Sequence, residues 1–241
     1  MPQLKRPKSL TESVTDKLRR AIIEGDLPLG SPLSERGIAE SIGVSKTPVR
    51  EAFAQLRVEG LVRIKPQTGA AVFSMSAPEV TALSEARLVL EQGALRFAFE
   101  RNRKNLVKKL TAQVEAMEAA RQKDDVRLYL DLDSAYHDSF FDLCGNAYLA
   151  ENYSILVARV AAIRTHLSAK PRHTSQSMKE HRQILEAIEA SDIREANDIL
   201  EHHILRARRT YDEHDGDIVE TDRRDGEAER QPAPLKELDL E

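Results

Sequence analysis

Four ionisable side chains in the C-terminal half of the sequence fall within apolar helical stripes, where such groups are rare. Asp133 and His137 lie one helical turn apart, between apolar residues that recur every three or four positions. His181 and His203 take the same kind of position in two later segments. Because a buried carboxylate or imidazole loses its hydration, these four groups need partners.

A divalent metal ion would satisfy the four groups together. Three imidazoles and one carboxylate suit a borderline cation, so we expect Zn²⁺, with Ni²⁺, Fe²⁺ and Mn²⁺ as further options. The alternative is that each histidine is a hydrogen-bonded core residue, the ordinary role of a lone inward histidine. An Asp-x-x-x-His pair with two more inward histidines favours the metal site, and an octahedral ion would keep coordination positions open.

An arginine interrupts the apolar stripe of an earlier segment. Arg87 is the one charged residue in a stripe that contains Val80, Leu83, Leu90, Ala94 and Phe97. A guanidinium binds a carboxylate through two parallel hydrogen bonds, so Arg87 and the metal ion would hold a small carboxylic acid between them. A structural salt bridge to Glu91 or Asp133 is the alternative. Arg159, at the border of another stripe, is a second candidate for effector binding.

The scaffold that must position these residues is predicted to be helical. Residues 78–211 have helical periodicity throughout and no sustained strand alternation. We therefore expect a mainly α protein whose C-terminal part is a bundle of six or seven helices. The predicted helices are 78–101, 105–122, 125–144, 147–168, 174–190 and 192–212.

The N-terminal part predicts three short helices and a hairpin. The first helix follows a capping-box pair, Ser9 and Glu12, the second follows Ser34, and the third runs from Ser45 or Thr47 to Glu59. Between the first two, the segment DLPLGSP predicts a turn. The segments LVRIK and AAVFS predict two strands around PQTG. This order is typical of a winged helix-turn-helix with a small β-hairpin wing.

Pro48 marks the start of the third helix, and the groups around it could bind DNA. In the first turn of a helix the missing N–H of proline sacrifices no hydrogen bond. The remaining N–H groups and the side chains of Lys46, Thr47 and Arg50 project from the same positive helix end, which suits phosphates and base edges. Taken alone, these basic residues could equally be ordinary solvated charges.

Composition limits the class of protein. The 241 residues include one cysteine and no tryptophan, the apolar runs are too short to cross a bilayer, and no signal-peptide apolar region is present. We expect a soluble cytoplasmic protein with no membrane partner. The net charge of −4 is uneven: residues 1–75 hold twelve Lys and Arg against eight Asp and Glu, whereas 212–241 hold four against twelve. The first region suits a polyanion, and the second is expected to be disordered.

The N-terminal sequence resembles the DNA-binding domain of the GntR family of bacterial transcription regulators over more than sixty residues. The resemblance rests on motifs that include IIEGDLPLGSPLSER, IGVSKTPVREAF, EGLV and TGAAV. It implies that six residues face operator DNA: Arg36, Ser45, Lys46, Thr47, Arg50 and Gly69. Lys46 stands where the family more often has arginine, so it would contact guanine or phosphate as a point charge.

The C-terminal sequence resembles the FCD ligand-binding domain of the FadR subfamily. The motifs are EARLVLE, DSAYH followed by FF and LCGN, EHRQILEAI, and the spacing of Ala196, Leu200 and His203. The resemblance implies a metal ion held by Asp133, His137, His181 and His203. It also implies an effector that is a small organic acid, sugar acid or amino-acid derivative, with Arg87 near it.

The resulting prediction is a homodimeric, metal-containing transcription regulator, usually a repressor in this family, whose affinity for a palindromic operator changes when a carboxylate binds. A dimer is expected because one short recognition helix reads only a few base pairs. The predicted domains are 1–75, a linker at 76–79, the effector domain at 80–212 and the tail at 213–241. A metal-dependent enzyme acting on a small organic acid and a DNA-binding protein with a purely structural metal are the alternatives.

Overall fold

The computed structural model describes residues 8–65, 69–170 and 172–215. These residues form two compact units that divide between Ser74 and Met75. Within the described ranges the protein is mainly α, with nine helices and one small antiparallel sheet, as predicted. The predicted wing tip at 66–68 and residues 216–241 of the predicted acidic tail lie outside the described residues.

The N-terminal unit contains three helices and three strands. In chain order they are α1 (Leu10–Ile23), β1 (Pro32–Leu33), α2 (Glu35–Ser41), α3 (Lys46–Val58), β2 (Val62–Lys65) and β3 (Gly69–Val72). The predicted capping box of α1 is present, because Ser9 and Glu12 each accept a hydrogen bond from the other's backbone N–H. The apolar faces of α1 and α3 bury Leu18, Ile22, Phe53 and Leu56, which form the core of this unit.

The sheet of this unit has a strand that the sequence did not indicate. Strands β2 and β3 form the predicted hairpin, with Val62 opposite Val72. Residues 32–33, within and directly after the segment predicted as a turn, form β1 instead and pair antiparallel with β3, Pro32 opposite Ala71. Two residues are too few for an alternating pattern, so only the pairing with β3 defines this strand.

The C-terminal unit is the predicted helical bundle. Its elements are α4 (Ala77–Gln122), α5 (Val126–Leu143), α6 (Ala147–Ser154), α7 (Val157–Ser168), α8 (His173–Glu189) and α9 (Ile193–Asp215). The predicted linker, 76–79, comprises the N-cap Ser76 and the first turn of α4. No helix in the described ranges is both long and apolar enough to cross a membrane.

Two predicted helix boundaries differ from the structure. The helices expected at 78–101 and 105–122 form the single element α4, which is interrupted only at Asn102, where φ is −140° and ψ is 28°. The Asn102 amide donates to the Leu143 carbonyl at 2.9 Å and so holds the kink against the end of α5. The single helix expected at 147–168 is wrong, because the chain breaks between Ser154 and Val157 into α6 and α7.

Candidate nucleic-acid interface and candidate metal centre

The first turn of α3 is arranged to receive an anion. Ser45 is its N-cap residue but makes no side-chain capping hydrogen bond, whereas the N-cap serines of α1 and α2 both do. The first N–H groups of α3 therefore lack a side-chain acceptor within the described residues. Lys46 and Thr47 are exposed beside them, and Pro48 is buried in the same turn. An exposed helix start with free N–H groups is a natural phosphate site.

The other residues predicted to contact DNA are also on the surface. The side chain of Arg50 is 71% exposed and lies 2.9 Å from Glu35 at the start of α2. Arg36 is 74% exposed and contacts Glu40, one turn later in α2, at 2.7 Å. Gly69, at the start of β3, is exposed and has φ +91°, a left-handed conformation that favours glycine. Arg50 and Glu35 thus join the two helices of the helix-turn-helix through an exposed ion pair.

Three of the four predicted metal ligands converge in the core of the C-terminal unit. His137 Nε2 lies 3.3 Å from His181 Nε2 and 3.2 Å from His203 Nε2. The three rings come from α5, α8 and α9 and are all buried. Their ligand atoms lie within 4.8 Å of one another, a spacing that could hold a metal ion.

Two glutamates fix the orientation of two of these rings. His137 donates its Nδ1–H to Glu91 Oε2 at 2.7 Å, and His203 donates its Nδ1–H to Glu180 Oε2 at 2.9 Å. A carboxylate at Nδ1 leaves the lone pair on Nε2, so both lone pairs point into the cluster. Burial lowers the pKa of His137 to about 4, although Glu91 opposes this change. The ring is therefore neutral, as a metal ligand must be, at neutral pH.

Asp133 lies at the edge of this cluster and contacts both a histidine and an arginine. Its Oδ1 is 3.5 Å from His181 Nε2, and its Oδ2 accepts a hydrogen bond from Arg164 Nη1. Burial alone would raise the pKa of Asp133, but Arg164 and the nearby histidines outweigh it, so the pKa lies well below its usual range. Asp133 is thus an ionised carboxylate with one oxygen directed at the cluster.

The spacing of the cluster fits a metal ion better than it fits three uncharged rings alone. Two nitrogens bound to one Zn²⁺ at about 2.0–2.1 Å with tetrahedral angles lie about 3.3 Å apart. The observed 3.2 and 3.3 Å match that value. Without a cation, the Nε2 lone pairs of His137 and His203 would face one another at 3.2 Å. The residues therefore fit a divalent ion.

Arg87 has an ionic partner and an unused donor. Its Nε donates to Glu91 Oε1 at 2.6 Å, which is one of the two salt bridges considered as the alternative to effector binding. Its Nη2 is buried and has no hydrogen-bond partner in the described part of the chain. The salt bridge therefore leaves a donor available for a ligand.

Arg159, the second effector candidate, is half-buried near the start of α7. Its Nη2 makes a long contact of 3.5 Å with the Ile155 carbonyl. Its Nε is buried and lacks a partner among the described residues. Among the described residues, no hydrogen bond joins Arg159 to the histidine cluster.

Comparison with known proteins identifies both units. The family described as "Bacterial regulatory proteins, gntR family" matches residues 10–72, and the FCD domain matches residues 82–206, more than half of the chain. The chain belongs to the GntR family of transcription regulators. Its GntR and FCD domains together give it a FadR-type architecture, and it is a DNA-binding regulator rather than an enzyme.

Relatives of this GntR protein are named as repressors. A probable D-xylose utilization operon transcriptional repressor of Paenarthrobacter nicotinovorans is 29% identical over 196 residues, which cover 81% of this chain and 86% of the relative. The gluconate operon transcriptional repressor of Bacillus subtilis (strain 168) is 27% identical, covering 74% and 75% of the two chains.

Solved structures share the fold of this GntR protein. A putative GntR transcriptional regulator from Rhodococcus sp. RHA1 has a TM-score of 0.73 at 22% identity, covering 84% of this chain and 97% of that one. E. coli McbR/YncC has a TM-score of 0.72 at 21% identity, covering 86% and 100%. At these identities the likeness shows the fold alone.

The FCD domain also contains polar core residues that the sequence did not assign to the metal centre. Glu91 and Glu180 support two histidines, and Arg164 supports Asp133. Glu91 and Glu180 are both buried. Glu91 lies one turn after Arg87, and Glu180 directly precedes His181, so their spacing was visible but their partners on other helices were not.

Proposed function

We propose that this GntR protein is a metal-dependent repressor whose FCD domain senses a small carboxylate. The single observation that carries the proposal is the convergence of three buried imidazoles, in which His137 Nε2 lies 3.3 Å from His181 Nε2 and 3.2 Å from His203 Nε2, with two of the rings fixed by carboxylates. Asp133, His137, His181 and His203 would hold the ion. Zn²⁺ suits this donor set, and Ni²⁺, Fe²⁺ and Mn²⁺ are the other candidates.

The effector chemistry follows from Arg87 and the metal ligands. The bound ion would supply Lewis-acidic positions for a carboxylate oxygen, and Arg87 would donate from Nη2, its buried donor without a described partner, to the same molecule. The relative that regulates the gluconate operon is consistent with a sugar acid, since gluconate is a small carboxylate. Arg159 would extend the site toward α7.

The DNA-binding function would use Arg36, Ser45, Lys46, Thr47, Arg50 and Gly69. In a homodimer, the paired recognition helices would read a palindromic operator about one helical turn apart. The effector would change operator affinity only by favouring one arrangement of the dimer over another. A regulator of bacterial genes would act in the cytoplasm, and two relatives named as repressors support the same role here.

A panel of carboxylic acids tests the proposal. An acid that binds zinc-loaded native protein raises its melting temperature and changes operator binding in a gel-shift assay. Arg87→Ala should abolish the effect of the acid while operator binding without the acid persists. If zinc binds but every acid leaves both measurements unchanged, the metal is purely structural, and the sensor proposal is wrong.

A further inference from the structure

Glu91 has both carboxylate oxygens engaged by groups of different kinds. Its Oε2 accepts the Nδ1–H of His137 at 2.7 Å. Its Oε1 accepts from Arg87 Nε at 2.6 Å and from the Tyr153 hydroxyl at 3.2 Å. The side chain is 0% exposed, so water does not screen these contacts. One carboxylate therefore connects a candidate metal ligand to the candidate effector arginine.

An anion that reaches Arg87 must compete with Glu91. A guanidinium has five N–H donors, and only Nε of Arg87 donates to Glu91 in the described structure. The Nη2 group can bind a second carboxylate, but Glu91 already neutralises much of the arginine's charge. Glu91 therefore weakens the attraction between Arg87 and an entering anion.

The same carboxylate has the opposite effect on His137, because it strengthens this residue as a metal ligand. A carboxylate that accepts the Nδ1–H of a histidine fixes its tautomer and makes Nε2 a stronger metal ligand. When an anion binds Arg87, the guanidinium neutralises less of the negative charge of Glu91. The Glu91 carboxylate then becomes a stronger acceptor for the Nδ1–H of His137. Through Glu91, anion binding at Arg87 would thus make His137 a stronger metal ligand.

We infer that Glu91 is a positioning residue that couples anion binding at Arg87 to metal binding at His137. This inference rests on the proposed function, because it takes Arg87 as the anion site and His137 as a metal ligand. Coupling between two binding sites is reciprocal, so the anion raises metal affinity by the same factor as the metal raises anion affinity.

Glu180 offers a matched control within the same unit. It accepts the Nδ1–H of His203 at 2.9 Å, the same kind of contact that Glu91 makes with His137. Its arginine partner is Arg206, which also donates to Ser177 at 2.8 Å. Glu180 has no described hydrogen bond to Arg87. It therefore supports a metal ligand without touching the anion site.

The test measures zinc and acetate separately in the full chain. Zinc affinity is measured by competition with a chromophoric chelator, and acetate affinity by NMR titration of [13C]acetate into zinc-free protein. Glu91→Gln should lower zinc affinity by about 10- to 100-fold. It should raise acetate affinity by about fivefold or more, because Arg87 loses its competing carboxylate. Glu180→Gln should lower zinc affinity and leave acetate affinity unchanged.

The zinc and acetate affinities of Glu91→Gln should change in opposite directions, whereas loss of a general structural role would lower both. If Glu91→Gln lowers both affinities, or binds acetate no more tightly than the wild type, the coupling is refuted while the metal centre stands. If Glu91→Gln does not fold, Arg87→Gln replaces it. Arg87→Gln should bind acetate more weakly and zinc more tightly than the wild type. A zinc affinity equal to or lower than that of the wild type would refute the inference. A wild-type protein that binds no zinc would reject the proposed metal centre itself.

Discussion

The Nε2 atoms of His137 and His203 face each other at 3.2 Å, although each ring donates its Nδ1–H outward to a buried glutamate. Both facing atoms therefore carry lone pairs, which repel unless a cation lies between them. Protonation of His137 would also relieve the repulsion, but burial lowers the pKa of His137 to about 4. At neutral pH a metal ion is the cation that suits this geometry.

Removing His181 should remove the metal without disturbing a supporting carboxylate, because its Nδ1 has no hydrogen-bond partner in the described residues. We expect His181→Ala to lose most of its bound zinc in elemental analysis. We also expect it to lose the zinc-dependent rise in melting temperature. At a zinc concentration one hundred times Kd, the wild type should gain about 2.7 kcal/mol in the free energy of unfolding.

The control for this experiment is His202→Ala, which removes the exposed histidine next to His203. It should keep the zinc content and the zinc-dependent stabilisation of the wild type. The assignment of the metal centre is wrong if the wild type contains no metal, or if His181→Ala responds to zinc as the wild type does.

Stability without metal should fall as the pH drops from about 6.5 to about 4. Burial lowers the pKa of His137 and of His173 to about 4 each, and the Arg206 charge contributes at His173. The unfolded chain, with a histidine pKa of about 6.5, therefore binds more protons than the folded chain in this window. Each histidine should contribute up to about 3 kcal/mol to the loss.

Urea unfolding in the presence of a chelator measures this pH dependence. His173→Gln, which has no imidazole to titrate, should show a shallower fall in the free energy of unfolding over the same window. His173 is the better choice for substitution because it lies outside the cluster of three Nε2 atoms. A free energy of unfolding that stays constant between pH 6.5 and 4 would contradict neutral buried imidazoles in the folded protein.

Arg50→Ala should weaken binding to an operator that has been selected from genomic fragments with the wild-type protein. If Arg50 reads a base edge, the loss should be about 5- to 150-fold. Arg57→Ala is the matched control, because it removes an exposed arginine from the opposite end of the same helix. Fluorescence anisotropy with labelled operator measures both variants.

Glu35→Gln should change operator affinity in the other direction. It frees Arg50 from the carboxylate 2.9 Å away and removes a negative charge from the surface that would face phosphates. Equal operator affinity for Arg50→Ala, Arg57→Ala and the wild type would remove Arg50 from the proposed interface.

Much of the fold could be predicted because its signals are local. Apolar residues at helical spacing predicted the bundle, and the capping pair Ser9 and Glu12 predicted the start of α1. The interruptions of the stripes by His137, His181 and His203 were visible for the same reason. Periodicity alone could not show that α4 continues through Asn102, because tertiary contacts decide whether a kinked helix is interrupted or ends.

The sequence by itself determined that Asp133, His137, His181 and His203 face the core and need polar partners, since both follow from the helical repeat and the cost of burial. Only the tertiary structure decided which partners they have. Glu91 lies 46 residues from His137, and Glu180 lies 23 residues from His203. Contacts at such separations depend on how the helices pack around one another, and helical spacing within a single segment carries no information about that packing.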